Sequence, residues 1–113
     1  MKPINFHNKT FLLVDNSVNG KVTNKTIFKY QQAGDLVTAD YFGGTIRYGK
    51  IIAQLEGSQL NMLYQCLTTT GELKAGKAIA QVTFNENEKM KLVLNWQWLG
   101  GQQQKGISEY IEQ

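Results

Sequence analysis

Met90-Lys91-Leu92-Val93-Leu94-Asn95-Trp96-Gln97-Trp98-Leu99 places Leu92, Leu94, Trp96 and Trp98 on one side of a two-residue period and Lys91, Asn95 and Gln97 on the other. A period of two marks a half-buried β-strand, because successive side chains of an extended chain point to opposite faces. The lysine fixes the phase. Burying Lys91 unpaired would cost several kcal/mol, so its side is wet and both tryptophans point into the molecule.

The same period recurs toward the N-terminus. Leu73 to Phe84 sets Ala78, Ala80, Val82 and Phe84 against Lys77, and Gln59 to Thr69 gathers Leu60, Met62, Tyr64 and Cys66 on one face. Thr45 to Leu55 comes before these, with Gly49 inside it as an expected bulge or bend. Leu36 to Phe42 and Thr26 to Gln31 precede it, and Lys29 turns Phe28 and Tyr30 inward. Phe11 to Val14 opens the series and Lys105 to Ile111 closes it. Between them stand turn formers: Asn19-Gly20, Ala33-Gly34-Asp35, Gly43-Gly44 as a two-residue turn, Glu56-Gly57-Ser58, Thr70-Gly71-Glu72, the loop Asn85 to Lys89, and Gly100 to Gln104. Asn5 to Lys9 reads as one helical turn. Apolar spacing of i, i+3, i+4 and i+7 is nowhere sustained.

Strands joined this closely must run antiparallel, since a parallel crossover needs a dozen or more residues. Closing such a meander removes two exposed edges. The expected fold is all-β: a single antiparallel up-and-down meander barrel of about eight strands. It spans 1–113 as one domain, with a short and mobile N-terminal segment 1–8. A two-sheet β-sandwich of the same strands is the alternative.

Composition narrows the function classes. Hydrophobic residues make up 42% of the 113, which excludes disorder. Twelve basic against nine acidic residues give +3, but the basic residues are scattered and only one is arginine, so nucleic acid is not an expected partner. Cys66 stands alone, which permits no intrachain disulfide and points to the reducing cytoplasm. No apolar run approaches the ~20 residues that span a bilayer, so no membrane partner is expected. MKPINFHNKTFLLV also lacks the continuous apolar stretch of a signal peptide.

Catalytic constellations are sparse. His7 is the one histidine, and it precedes the first strand as an exposed side chain. Cys66 sits mid-strand on an apolar face without an evident basic neighbour, as a small buried hydrophobe. Asp35, Asp40, Glu86 and Glu88 read as turn and loop charges, not as carboxylates opposed across a cleft. Gly43-Gly44 and Gly100-Gly101 lead into strands, whereas a phosphate-binding loop leads into a helix N-terminus. No catalytic residue, metal ligand or cofactor is expected. What remains is the barrel interior, which at this strand number is either filled by side chains or holds one small ligand. Phe28, Tyr30, Tyr41, Met62, Tyr64, Trp96 and Trp98 are the candidate lining, with hydroxyl and indole N–H groups that need partners when buried. The expected function is non-catalytic binding of a small apolar or aromatic molecule. The alternatives are a filled barrel acting as a structural or interaction protein, including a homo-oligomer paired through edge strands, and an enzyme of unknown type.

Tyr41 to Gly49 has the form of a Y-x-G hairpin repeat of the membrane-occupation type, but no further copies follow at a fixed period. A broader pattern combines Phe28-x-Tyr30, Tyr41-x-Gly43-Gly44-x-Ile46 with Gly49, then Gly71, Gly76, Trp96-x-Trp98 and Gly100. It resembles a group of short bacterial proteins that carry the label N-acetylglutamate synthase, over about residues 8–112. That label implies acetyl transfer from acyl-CoA, which uses Q/R-x-x-G-x-G/A between a strand and a helix. Here Gln97-Trp98-Leu99-Gly100-Gly101-Gln102 ends on Gln102, and no helical pattern follows. The resemblance implies a small β-barrel similar in outline to lipocalin- or avidin-like calycins. The lipocalin Gly-x-Trp signature is absent near the first strand, so no binding residue carries over.

Overall fold

The computed structural model describes residues 4–16, 25–99 and 105–113. They form β1 (Lys9–Asn16), β2 (Ile27–Ala33), β3 (Leu36–Gly43), β4 (Ile46–Glu56), β5 (Gln59–Thr68), β6 (Leu73–Phe84), β7 (Met90–Leu99) and β8 (Lys105–Glu112). Each strand pairs with the next, and β8 returns to pair antiparallel with β1. The fold is the closed up-and-down barrel, not the sandwich. Closure also corrects the idea of oligomers paired through edge strands, because β1 and β8 have no free edge to offer.

Three hairpins turn on two residues each, Gly34-Asp35, Gly44-Thr45 and Gly57-Ser58, with φ near +60° at the leading glycine. That position is where a II′-type turn calls for glycine, and its twist matches the flanking strands. The middle turn falls one residue later than expected, because Gly43 still belongs to β3 and pairs with Ile46. Asn19-Gly20 and Gly100 to Gln104 lie outside the described residues. Asn5 to Lys9 is not helical: the Lys9 N–H donates to the Phe6 carbonyl at 3.1 Å across a tight turn, with Asn8 at φ 56°. The irregularity expected at Gly49 lies just before it, where β4 carries one extra residue against β5 between Ile46 and Tyr48.

The inward phase holds around the barrel. Leu92, Leu94, Trp96, Trp98, Ala78, Ala80, Val82, Phe28, Tyr30, Leu60, Met62 and Cys66 are all buried. Lys29, Lys77 and Asn95 are exposed, and half-buried Lys91 is paired with Glu109 at 3.4 Å. Large side chains face small ones in register: Trp96 opposes Ala78, and Trp98 opposes Gly76. The alternating sizes let two indoles fit beside each other without forcing the sheet apart.

The two ends of the barrel differ. The lower end carries the Gly34-Asp35 and Gly57-Ser58 turns, the 85–89 loop, residues 4–8 and the end of β8. Phe6 closes it. This side chain is fully buried, its ring centroid 5.8 Å from Phe11 and 5.2 Å from Tyr30, and its backbone N–H donates to Gln32 Oε1 at 2.9 Å. Phe6 therefore docks residues 4–8 against this end of the barrel, where a mobile segment was expected. The upper end carries the Gly44-Thr45 turn and the 69–72 connection. Among the described residues, no helix is long and apolar enough to cross a membrane.

Candidate functional site

The inward face of β7 rises toward the upper end. Exposure along it runs from 0% at Leu92 through 6% at Leu94 and Trp96 to 9% at Trp98. Solvent approaches the interior here, at the second tryptophan. Tyr64 of β5 meets the Trp98 ring edge-on at 5.6 Å, and Trp96 lies 6.0 Å away along the strand.

Close packing of Tyr64 and Tyr41 depends on missing side chains. Tyr64 pairs directly with Gly76 across β5 and β6, and a Cβ there would stand 2.5 Å from the phenol ring. Tyr41 pairs with Gly49 in the same way, and its ring occupies the space a Cβ would take. The Tyr41 hydroxyl donates to the Gln65 carbonyl at 3.2 Å. Burial pushes both phenols above their usual range, so they remain neutral hydrogen-bonding groups at any physiological pH.

The two indole N–H groups have different fates. Trp96 donates to Ser108 Oγ at 2.8 Å, wholly inside the barrel. Trp98 Nε1 is buried and has no hydrogen-bond partner among the described residues. An unmet buried donor costs about 1–3 kcal/mol, and in a native fold it calls for an explanation. Above this indole lies Lys74, whose Nζ is 5.1 Å from the ring centroid. Lys74 stands opposite Cys66 in register, so it shares the inward phase. Desolvation raises the Cys66 thiol above its ordinary value, more than Tyr41 and Lys74 lower it, which leaves it a poor nucleophile.

The remaining candidates occupy neighbouring layers. Phe28 stacks on Tyr41 at 4.9 Å and meets Tyr110 edge-on at 4.9 Å, forming a middle layer. Tyr30 belongs to the lower aromatic group with Phe6 and Phe11. Met62 stands between Ala53 and Ala78 in the wall. Trp96, Trp98 and Tyr64 are thus gathered at the upper end. His7 is exposed on the turn before β1, at the opposite end of the strands from the Cys66 region. Asp40 lies outside and accepts from the Tyr48 hydroxyl at 2.6 Å and from Lys50 at 2.9 Å. Among the described residues, no three of His, Cys, Asp and Glu come together as metal ligands would.

An open groove of about 1060 Å³ runs along the wall past Ile52, Leu63, Ile79 and Ile107. It lies outside the barrel. Those four side chains are 47–61% exposed, whereas the inward residues behind them, Ala53, Met62, Ala78 and Trp96, are 3–6% exposed. The interior itself is packed where these aromatic layers meet.

A family model described as avidin-like protein matches residues 4–113. The chain belongs to the avidin-like family. This agrees with the closed eight-stranded meander and with the calycin-like outline that the aromatic and glycine pattern suggested. No curated protein and no solved structure shows significant similarity to this avidin-like chain. Lys74 and the orphaned Trp98 donor were missed from the sequence. Lys74 keeps the inward phase at the start of β6, and only the alternation Lys74, Gly76, Ala78 marks it as inward.

Proposed function

We propose that the protein binds a small, partly apolar molecule, without catalysis, at the upper end of its barrel. Trp98 and Tyr64 form the contact surface in this reading, with Trp96 behind them. The carrying observation is the buried Trp98 N–H that no group among the described residues satisfies, on the most exposed of the inward side chains of β7. A ligand acceptor supplies the missing hydrogen bond, while the flat rings take its apolar part. Membership of the avidin-like family supports small-molecule binding in general. Phe28 and Tyr41 back this layer, and Met62 and Tyr30 lie deeper. A cytoplasmic location, expected from the lone cysteine, belongs to the same reading.

A second reading has its own support. Most interior side chains are 0–9% exposed, and exposed aliphatics line the outer groove, as in a filled barrel that interacts through its wall. Native mass spectrometry of protein purified from its own host separates the two. A retained mass lost on denaturation, together with shifted tryptophan emission after its removal, supports the binding site. A ligand-free barrel whose emission no small molecule alters supports the filled one.

A further inference from the structure

The two ends of the barrel differ in charge. At the upper end Lys25, Arg47, Lys74 and Lys105 stand against Asp15 and Glu72. At the lower end Asp35, Glu56, Glu86, Glu88 and Glu112 stand against Lys9 and Lys89, and Lys9 is already paired with Glu112 at 2.8 Å. The molecule is polarised along its axis, cationic above and anionic below.

Large apolar side chains sit among the upper cations. Leu73 is 83% exposed, Tyr48 50% and Leu99 46%, and Leu67 is half-buried beside them. Register makes one cluster of these four. Tyr48 opposes Leu67, Leu67 opposes Leu73, and Leu99 opposes Ala75, two residues along from Leu73. They lie at or near the upper ends of β4, β5, β6 and β7. An exposed leucine alone is ordinary, but a contiguous exposed set marks an interaction surface. Among the described residues of the lower turns, Leu36 is the one large hydrophobic that is exposed.

Aliphatic and phenol tips set among cations suit peripheral contact with anionic lipid. The apolar tips enter the headgroup boundary, the cations meet the lipid charges, and tyrosine favours that depth. Single-stranded nucleic acid would use the charges but stacks on flat rings, and this rim offers leucines with a single tyrosine. A second copy meeting the rim about a two-fold axis would set cation against cation.

We propose that the upper rim docks on an anionic lipid surface, with Leu73, Leu99 and Tyr48 entering the headgroup layer and Arg47 and Lys105 facing the lipid charges. The anionic lower end is repelled from the same surface, so the barrel stands on end. The contact is peripheral and needs no spanning segment. It is separate from small-molecule binding and holds for a filled barrel as well.

The test sediments the full chain with vesicles of phosphatidylserine and phosphatidylcholine, beside vesicles of phosphatidylcholine alone. Binding to the anionic vesicles is expected to be at least about tenfold tighter, and to weaken as salt rises. Leu73→Ser with Leu99→Ser should remove most of it, and Arg47→Gln with Lys105→Gln should erase the preference for anionic lipid. Leu63→Ser with Ile79→Ser, on the wall, should change neither. All these side chains are exposed, and calorimetric melting checks that each variant is folded. Binding to neither vesicle overturns the proposal, and so does equal binding to both. Anionic binding that survives both rim variants, or falls equally in the wall variant, also overturns it. If the leucine variant keeps full binding and a single-stranded oligonucleotide competes, the rim is a general polyanion surface and the lipid assignment fails.

Discussion

Trp96 and Ser108 form a buried hydrogen bond, indole N–H to hydroxyl, at 2.8 Å between β7 and β8. Their strands put them near each other but not in direct register, since Trp96 opposes Gly106 and Ser108 opposes Leu94. Replacing Ser108 by alanine orphans a buried donor and should cost about 1–3 kcal/mol in urea unfolding. Trp98→Phe removes a donor already unmet and should cost less than Trp96→Phe, measured in the same way.

Gly76→Ala drives a methyl group into the Tyr64 ring and toward the Gln97 carbonyl, and should destabilise by about 1–3 kcal/mol. Combining it with Tyr64→Leu should recover part of the loss, because the ring is the movable obstacle. A double-mutant cycle reads the coupling. Simple additivity would mean that Tyr64 does not rest on Gly76.

Glu112 joins three strands. Its side chain, only 10% exposed, accepts from Lys9 of β1 at 2.8 Å and from the Met90 N–H of β7 at 2.9 Å. Desolvation pushes its pKa up, but Lys9 and the Met90 amide together outweigh that and hold it below the usual carboxylate value. A depressed folded pKa contributes stability that is fully present above the unfolded value, about 4.3, and is lost as pH falls through the folded pKa. Unfolding titrations from neutral pH down through the carboxylate range should show this loss, on the order of 1 kcal/mol given the half-exposed lysine. Glu112→Gln should flatten that part of the profile.

Cys66 is 4% exposed and its thiol is raised by burial. An aromatic disulfide reagent should modify it slowly in the folded protein at neutral pH and rapidly in denaturant. Equal rates would place it at the surface.

Phe6→Ala should cost about 3–5 kcal/mol, as for a fully buried aromatic side chain. The fluorescence of Trp98, near the other end, should be little changed. Calorimetric melting checks the first part and emission the second.

The wall of the barrel was legible in the sequence because charge and apolarity alternate there. Lys91, Lys77 and Lys29 each fixed a phase, and every inward set read from them is buried apart from half-buried Phe84. Phe6 was not legible, since a single aromatic ahead of the first strand has no period, and its partners Phe11, Tyr30 and Gln32 come from two strands. The turn at Gly44-Thr45 slipped by one because two adjacent glycines suit the turn equally well. Around the site, the pairing of Trp98 with Tyr64 follows from phase. The contrast between a satisfied Trp96 and an orphaned Trp98 does not. It depends on a serine twelve residues away along the chain, whose reach is set by the register of β7 on β8.

The pairing of β1 with β8 bears on the birth of the protein at the ribosome. Every other strand neighbours its predecessor and can zip onto it as the chain emerges, but Lys9 and Glu112 are 103 positions apart. Until translation reaches the last strand, β1 is an open template and the newest strand is another, so the nascent meander is at its most adhesive just before completion. The closing step carries the largest loop entropy and comes last. With Gln113 N–H donating to the Thr10 carbonyl at 2.8 Å, the end of β8 finishes beside the start of β1. A circular permutant that joins them and opens at Gly57-Ser58 would turn this latest pairing into a local one.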